Sequence, residues 1–378
     1  MPQERKVYFD NASTTKVNEE VLSSYQKLIA TYFENSDALY DAGVNVKTMQ
    51  EKSRKAIADF FNVNSNNVIF TSSASEANNM AIKGVALLNG DKKHLITSCV
   101  EHSSVLNAMY QLRDNFNYDL TILPVNTEGC IDINDLSKAL RDDTCLVSIM
   151  HVNNEVGSIN DIASISKLVK TKSRAVLHID MVQSLGKVDI DLTNIDLASF
   201  SAHKIEGFKG SGFLIKKPHV KLLSLISGGQ QEFGLRGGTS NSLLNAILFK
   251  TIRLYFENND NNYIKELNSY FLDKLNKIEN INLNSPVNGV SNIINFSYDK
   301  IPSEVMLNAL NMKGIMVSAQ STCSSNSHNP SRVLKAMGYS DAISNSCIRV
   351  SFSVHNTYEE IDYFINCLKE VINKYGNL

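Results

Sequence analysis

Short apolar runs alternate with longer amphipathic runs along most of this 378-residue chain. The apolar runs have the length of buried strands, the runs between them have helical spacing, and the chain contains no internal repeat. Strands that alternate with helices in this way form a parallel sheet covered by helices. The predicted fold class is therefore α/β, with a mainly parallel seven-stranded sheet. The strands are predicted at 68–70, 94–97, 120–123, 146–150, 175–179, 197–200 and 212–215.

The last third of the chain has a different pattern. A polar run at 257–262 has neither helix nor strand preference and marks a domain boundary. Beyond it lie two helical patterns, at 264–278 and 359–374, and two alternating segments typical of half-buried strands, at 292–297 and 347–352. The chain also exceeds the length at which a single core stops growing. We predict a large domain over 15–260 and a smaller α+β domain formed by 1–14 and 261–378.

Composition excludes several classes of function. The 37 basic and 39 acidic side chains give a net charge of -2, so the chain lacks the basic surface expected for binding nucleic acid or an anionic membrane. Its apolar runs are strand-sized, and its polar start has no apolar signal segment. The six cysteines form no CxxC pair and have no metal-ligand spacing, which argues against a structural zinc or a disulfide framework. We expect a cytoplasmic enzyme of small-molecule chemistry with no metal site.

An acid and a lysine follow two neighbouring predicted strands. Asp180 ends one of them, and Lys204 comes just after the other. In an open α/β sheet, functional groups gather beyond the carboxyl ends of the strands, so both residues are expected there. A lysine can form a Schiff base with the aldehyde of pyridoxal phosphate, and a carboxylate can keep its pyridinium nitrogen protonated. The alternatives are that Asp180 caps a helix and that Lys204 is a solvated surface charge.

A phosphate would be held where small polar residues follow a strand and open a helix. Residues 71–80 have this pattern, because backbone N–H groups and the helix dipole would attract an anion there and Ser75 would add a hydroxyl. The alternative is a capping box formed by Ser73 and Glu76, which needs no ligand. Ser201 and His203, beside the lysine, are within reach of the same phosphate or are merely polar turn residues.

Three further residues in predicted loops could take part in the chemistry. His102 lies where a loop would cross the site and could offer a ring to the cofactor; alternatively it is a structural or surface histidine. Asn154 offers a neutral donor or belongs to an ordinary turn. Cys323 lies in a run too polar to pack in a core, which suits an exposed, mobile nucleophile, or it is an accidental loop cysteine. The other five cysteines are predicted to be packing residues.

Together these segments resemble the cysteine desulfurases, which are class V aminotransferases with the fold-type I pyridoxal phosphate architecture. The resemblance spans nearly the whole chain. It lies in residues 8–15, 72–79, 101–102, 151–157, 178–184, 199–204, 235–239 and 321–323. The chain departs from the family pattern where Ser73 and Gln320 replace glycines and where Tyr40 stands in place of a common histidine.

The resemblance implies a role for each site residue. Lys204 would be the Schiff-base lysine, and Asp180 the partner of the pyridinium nitrogen. Gln183 would donate to the ring oxygen, and His102 would stack on the ring. The phosphate would be held by Ala74, Ser75, Ser201 and His203, with Thr239 from the other subunit of a homodimer. Asn154, beside the cofactor, and Arg349 would bind the substrate carboxylate, and the planar guanidinium suits a bidentate grip.

The implied reaction converts L-cysteine to L-alanine. Cys323 would take the sulfur as a persulfide and pass it to an acceptor protein, for iron-sulfur cluster assembly, tRNA thiolation or a related pathway. Two alternatives stay open: a selenocysteine lyase or other class V enzyme, and a desulfurase-like binding or regulatory protein that has lost turnover. The departures at Ser73, Gln320 and Tyr40 motivate the second alternative.

Overall fold

A computed structural model describes residues 6–320 and 330–376 of the chain. Cys323 therefore lies outside the described residues. The strands are β1 Val7–Tyr8, β2 Val68–Thr71, β3 His94–Ser98, β4 Asp119–Leu123, β5 Thr144–Met150, β6 Val176–Asp180, β7 Leu197–Ser201, β8 Gly212–Lys216, β9 Ile281–Leu283, β10 Ile293–Tyr298, β11 Ile315–Met316 and β12 Cys347–Ser351. The helices are α1 Glu19–Thr31, α2 Asp41–Phe60, α3 Ala74–Leu88, α4 Ser103–Phe116, α5 Ile133–Ala139, α6 Ile162–Lys172, α7 Ser242–Asn258, α8 Asn261–Leu275, α9 Ser303–Asn311, α10 Arg332–Ala336, α11 Asp341–Asn345 and α12 Tyr358–Tyr375.

Seven strands form the central sheet in the order β2-β8-β7-β6-β5-β3-β4. Only β8 among them runs antiparallel to its neighbours. All seven predicted strands form, each within two residues of its predicted bounds, and the predicted α/β fold is confirmed. Residues of β2 alternate between the two faces: Val68 and Phe70 pack with residues of α2 and α7, whereas Ile69 packs with residues of α3 and α4. The sheet is thus covered by helices on both faces.

A smaller antiparallel sheet, β12-β10-β9, lies in the last third of the chain. The N-terminal segment packs into the aromatic core of this sheet. The centroid of the Phe9 ring lies 5.4 Å from that of Phe352 and 5.8 Å from that of Phe364. Strand β1 also pairs in parallel with β11. The N-terminal residues therefore pack with C-terminal elements, while the domain bounds at 14/15 and 260/261 stay a prediction.

The polar run at 257–262 is more helical than its composition predicts. Helix α7 continues to Asn258, and α8 begins at Asn261. The side chain of Asp260 accepts hydrogen bonds from the backbone N–H groups of Asn262 and Tyr263, which satisfies the start of α8. The predicted lack of helix is therefore wrong, because a capping aspartate separates two helices with a break of two residues.

Strand register aligns several loops at one edge of the central sheet. Thr71, the last residue of β2, and Ser201, the last residue of β7, both pair with Gly212. Asp180 ends β6, which is parallel to β7. The loops that follow these three strands therefore leave the sheet at the same edge. Within the described ranges, no helix is both long and apolar enough to cross a membrane.

Candidate active site

A cavity of about 200 Å³ opens at this carboxyl edge of the sheet. All the predicted site residues that the structure describes line it, with the exception of Thr239. They are Ala74, Ser75, His102, Asn154, Asp180, Gln183, Ser201, His203, Lys204 and Arg349. Chain segments far apart in sequence thus meet around one space.

Lys204 ends a short 3-10 turn that directly follows β7. Its Nζ donates to the carbonyl oxygens of Ala12 at 2.7 Å and Ser13 at 2.6 Å. The backbone N–H of Thr15 donates to the carbonyl of His203, which ties the N-terminal segment to the same turn. The lysine is therefore a fixed, half-buried amine at the cavity wall, and the surface-charge alternative is wrong for this residue.

Asp180 is buried and accepts two hydrogen bonds. Its Oδ1 accepts from the backbone N–H of Val182 at 3.0 Å, so the carboxylate does cap the turn that follows β6. Its Oδ2 accepts from the side chain of Asn78 at 2.9 Å. One aspartate thus combines a local capping role with a position in the cavity wall, so the two interpretations of Asp180 are compatible.

Asn78 and Ser104 connect Asp180 to His102, a link that the sequence analysis missed. Asn78 Nδ2 donates to Asp180 and also lies 2.9 Å from Ser104 Oγ, which in turn lies 2.8 Å from His102 Nδ1. The N–H of Ser104 donates to the same Nδ1 at 3.1 Å. Burial lowers the pKa of His102, so a neutral ring that carries its proton on Nε2 fits these bonds. Only the helical position of Asn78, one turn after Ala74, could have suggested this link.

The start of α3 forms one wall of the cavity. Ser73 caps the helix, because its Oγ accepts from the N–H of Glu76 at 3.2 Å. The Glu76 carboxylate does not complete the capping box on Ser73; it accepts from the N–H of Ser72 at 2.9 Å and pairs with Arg236 at 3.0 Å. The capping-box alternative is therefore only half formed, and the exposed Ser75 remains beside the cavity at the positive end of the helix dipole.

Two observations test whether these residues fit a phosphate group. The buried Ser201 Oγ has no hydrogen-bond partner among the described residues, which leaves its hydroxyl able to donate to a phosphate oxygen. At Gly212 a Cβ would lie 2.8 Å from the carbonyl of Phe200 and 3.0 Å from the backbone of Ser73, so only glycine lets the turn approach this closely. With a helix N-terminus beside them, these groups match the needs of a phosphate.

His203 borders the same wall. Burial, with Lys204 and Lys209 nearby, lowers the pKa of His203 to about 4, so the ring is neutral at physiological pH. Its Nδ1 lies 3.2 Å from Thr14 Oγ1. A neutral imidazole still supplies one N–H donor to an anion, although without the charge of an imidazolium.

Arg349 enters the cavity from β12 of the smaller sheet and is 1% exposed. One terminal nitrogen, Nη2, donates to Asp10 Oδ1 at 2.7 Å and to Ser13 Oγ at 2.6 Å. The other, Nη1, donates to the carbonyl of Asn154 at 2.9 Å, whereas Nε has no partner among the described residues. The sequence analysis missed Asp10 as the anchor of this arginine, although it falls within the segment 8–15.

Residues on both sides of 321–329 contact the site. Backbone hydrogen bonds join Ser318 to Arg349, and Ser331 Oγ donates to Glu155 Oε2 at 2.8 Å. Among the other cysteines, Cys145, Cys347 and Cys367 are buried, while Cys99 and Cys130 are half-buried. Burial raises the pKa of Cys145 to about 11 and that of Cys347 to about 12, which disfavours the reactive thiolate.

Thr239 lies away from this cavity, on an exposed segment after Arg236. Arg236 pairs with Glu76 of α3, so the segment starts close to the candidate phosphate wall of its own chain. Within one chain, the structure does not bring Thr239 to the site. A role for Thr239 in a second subunit stays a prediction.

The chain is similar to known proteins over nearly its whole length. The family described as Aminotransferase class-V matches residues 7–364. The protein is 39% identical to "Cysteine desulfurase IscS" of Dictyoglomus turgidum, over 98% of this chain and 95% of that one. It is 36% identical to "Cysteine desulfurase IscS" of Methanosarcina thermophila, over 100% and 94% of the two chains.

Solved structures give the same result. A structure named "NIFS-LIKE PROTEIN" superposes with a TM-score of 0.92 at 31% identity and covers 98% of this chain and 100% of its own. Another, "SspA in complex with cysteine", has a TM-score of 0.82 at 32% identity, over 93% and 99% of the two chains. The chain therefore belongs to the class-V aminotransferase family, on its NifS/IscS-like cysteine desulfurase branch.

Proposed function

We propose that this protein is a pyridoxal-phosphate-dependent cysteine desulfurase that converts L-cysteine to L-alanine and passes the sulfur to Cys323. The observation that carries this proposal is the meeting of three groups in one cavity. A buried carboxylate, Asp180, and a fixed amine, Lys204, lie in the same wall as the start of α3, and Arg349 completes the cavity from the smaller sheet. An acid, an amine and an anion site in one cavity match the three needs of this cofactor.

The cofactor would be held mainly by residues at the edge of the central sheet. Ser75, Ser201 and His203 would bind the phosphate with the backbone of Ala74. Asp180 would hold the ring nitrogen, and the His102 imidazole would lie against the ring. When bound, pyridoxal phosphate supplies an electron sink for the bonds at the substrate Cα. Asn78 supports Asp180 and Ser104 supports His102, so both groups are oriented before any ligand binds.

Arg349 would bind the substrate carboxylate. Its Nη2 is already held by Asp10 and Ser13, which fixes the plane of the guanidinium. Nε, which has no partner in the described part of the chain, lies in that same plane, so a carboxylate would gain a charge-assisted hydrogen bond there. Asn154, whose carbonyl accepts from Nη1, lines the same side of the cavity.

Two side chains of the protein would take part in the reaction: Lys204 would transfer protons, and Cys323 would accept the sulfur. The Lys204 amine would take the proton from the substrate Cα and return a proton to the product. The thiolate of Cys323 would form an S–S bond with the substrate sulfur as the bond between that sulfur and the substrate Cβ breaks. The electron pair of that bond stays with the carbon, which is protonated to give the methyl group of alanine. A protein acceptor would then collect the persulfide sulfur.

A homodimer is part of the proposal, with Thr239 reaching the phosphate of the partner's site. Several large apolar side chains are exposed on two neighbouring segments, including Phe33 at 91%, Leu39 at 96% and Phe233 at 50%. The segments are joined by a 2.7 Å hydrogen bond from Gln231 to Asp37. Apolar side chains grouped on a surface favour a protein contact, and a second copy of this chain is the occupant we propose.

We also propose a cytoplasmic location. Cys99, Cys130, Cys145 and Cys347 are present as thiols, which suits a reducing compartment. The balanced charge fits a small-molecule substrate rather than nucleic acid.

The test incubates the holoenzyme with L-cysteine and a reductant and measures alanine and sulfide. We expect the wild type to form both products and Lys204→Ala to form neither. Cys323→Ala should bind the cofactor normally but lose at least about a hundredfold in turnover, as expected when a nucleophile is removed. Equal product from the wild type and Cys323→Ala would contradict the assignment of the sulfur acceptor.

Two outcomes would favour the alternatives. Turnover of L-selenocysteine that does not depend on Cys323 would favour a selenocysteine lyase. A protein that stays colourless after incubation with pyridoxal phosphate would favour a binding or regulatory role.

A further inference from the structure

We propose that Lys187 is a positioning residue that orients the side-chain amide of Gln183, so that its NH2 group faces the cofactor cavity. The inference rests on the proposed function, because it takes pyridoxal phosphate as the ligand of that cavity. It concerns a residue that does not line the cavity itself.

The geometry starts with a hydrogen bond between two side chains four residues apart. Lys187 Nζ lies 2.7 Å from Gln183 Oε1, and Gln183 Nε2 donates to the carbonyl of Ala12 at 2.8 Å. Gln183 is 3% exposed and lines the cavity, so its amide cannot exchange these partners for bulk water. Below its pKa of about 7, Lys187 is protonated and only donates, whereas an amide has a donor end and an acceptor end. Lys187 therefore holds the oxygen end and leaves the NH2 end toward Ala12 and the cavity.

The opposite amide orientation would be costly. It would bring the amide oxygen against the Ala12 carbonyl and the amide NH2 against Lys187, so that acceptor meets acceptor and donor meets donor. The Ala12 carbonyl also accepts from Lys204 Nζ at 2.7 Å. The Ala12 carbonyl thus accepts from both Gln183 and the candidate Schiff-base lysine. The orientation of the Gln183 amide therefore also affects the surroundings of Lys204.

The backbone around Lys187 is held in place by packing. Gly186 has a φ of +75°, and a Cβ there would lie 2.3 Å from the Tyr255 ring. Asn259 Nδ2 donates to the Gly186 carbonyl at 3.0 Å. The turn that carries Lys187 is therefore clamped between the sheet edge and α7, which gives the lysine a defined position.

The surroundings of Lys187 disfavour its positive charge. Burial, together with the nearby cations Lys204 and Arg349, lowers the pKa of Lys187 to about 7. Glu206 borders the same small inner cavity, but it bonds to His355 at 2.8 Å. Enclosing a third cation beside two others disfavours its charged form, so a lysine at this position does not stabilise the fold through its charge. The hydrogen bond to Gln183 gives a reason for a lysine at this position.

The test uses the apoprotein and the holoprotein and does not require turnover. We measure the dissociation constant of pyridoxal phosphate and the pH midpoint of the visible absorption band of the bound cofactor. Lys187→Met should weaken cofactor binding roughly five- to tenfold, the effect of one lost, oriented hydrogen bond. It should also raise the pH midpoint by up to about half a unit, because Lys187 carries a charge below its pKa of about 7 and that charge disfavours the protonated form of the bound cofactor.

Matched variants separate positioning from other effects. Lys187→Arg keeps the donor and the charge and should restore both values to within about twofold and a few tenths of a unit. Lys265→Met removes a surface lysine that lines a surface cleft together with Lys187, and it should change neither value. If Lys187→Met does not fold, the neutral Lys187→Leu, which also lacks a donor, replaces it, with the same direction of change.

A double-mutant cycle with Gln183→Ala decides the mechanism. If Lys187 acts through the amide, Lys187→Met should have little further effect on cofactor affinity in the Gln183→Ala background. An equal effect in both backgrounds, or no effect in either, would overturn the inference. A wild type that binds no cofactor would instead refute the proposed function, so the two failures are distinguishable.

Discussion

The two halves of the cavity are built in different ways. The half that would hold the cofactor comes from turns that directly follow strands of one sheet, with Asp180 after β6 and Ser201 and Lys204 at the end of β7. The half that would hold the substrate joins distant parts of the chain. There Arg349 of the smaller sheet meets Asp10 of the N-terminal segment and the carbonyl of Asn154.

The positions of the site residues therefore depend on different interactions in the two halves. In the cofactor half, strand register sets the positions, since Thr71 and Ser201 both pair with Gly212. In the substrate half, side-chain hydrogen bonds and one ion pair set them, because no strand of the central sheet carries Arg349 or Asp10. We therefore expect substitutions in the substrate half to alter substrate binding without loosening the cofactor.

The largest effect is expected from Arg349→Leu. Removing the guanidinium leaves the largely buried Asp10 without its charge partner and should cost about 3–5 kcal/mol in the free energy of unfolding. The KM for L-cysteine should rise roughly a hundredfold, because a charged partner of the carboxylate is lost. Urea unfolding and steady-state kinetics measure the two changes.

A control and a cofactor titration sharpen this prediction. Arg113→Leu removes an exposed arginine that pairs with Asp114, and it should leave the free energy of unfolding close to that of the wild type. Pyridoxal phosphate affinity in Arg349→Leu should stay within about threefold of the wild type if the halves are independent. A large loss of cofactor affinity would contradict the division.

The next effect is expected from Asp180→Asn in the cofactor half. The variant keeps the size of the side chain but removes the negative charge that would hold the ring nitrogen protonated. Turnover should fall roughly a hundredfold, the scale of losing one preorganised electrostatic contact, while the KM for L-cysteine changes little. Kinetics with saturating cofactor measure this, and a change confined to KM would argue against the role of Asp180.

The smallest effect concerns the sheet beneath the cofactor half. Burial lowers the pKa of His178 to about 3, and its ring bonds to Ser148 and Ser199 on the adjacent strands. An unfolded histidine titrates near pH 6.5, so between pH 6.5 and pH 3 the unfolded state binds more protons, and stability is lost as the pH falls. From pH 6.5 to pH 5.5 we expect this residue to account for a loss of about 1 kcal/mol. Urea unfolding at both pH values should give a shallower dependence for His178→Asn than for the wild type, and equal slopes would contradict the prediction.

Much of the cofactor half could be predicted from local pattern. The strands and the polar residues after them are adjacent in sequence, so finding one locates the other. Asn78 and Ser104 escaped prediction because neither is distinctive by itself; their link between Asp180 and His102 exists only once α3 and α4 lie side by side. Lys187 escaped for a similar reason, since its partner is a glutamine amide rather than an acid.

Family membership, the central sheet and the residues after its strands were determined by the sequence itself, because hydrophobic period and turn chemistry act over a few residues. The sequence also indicated Cys323, through its polar surroundings, and Arg349, through the family resemblance. Only the tertiary structure decided that Asp10 and Ser13 anchor Arg349, that Ser73 and Glu76 form half a capping box, and that Lys187 lies against Gln183. Those contacts depend on distances between side chains from packed elements, and such distances are set by the close packing of the folded chain rather than by any local pattern.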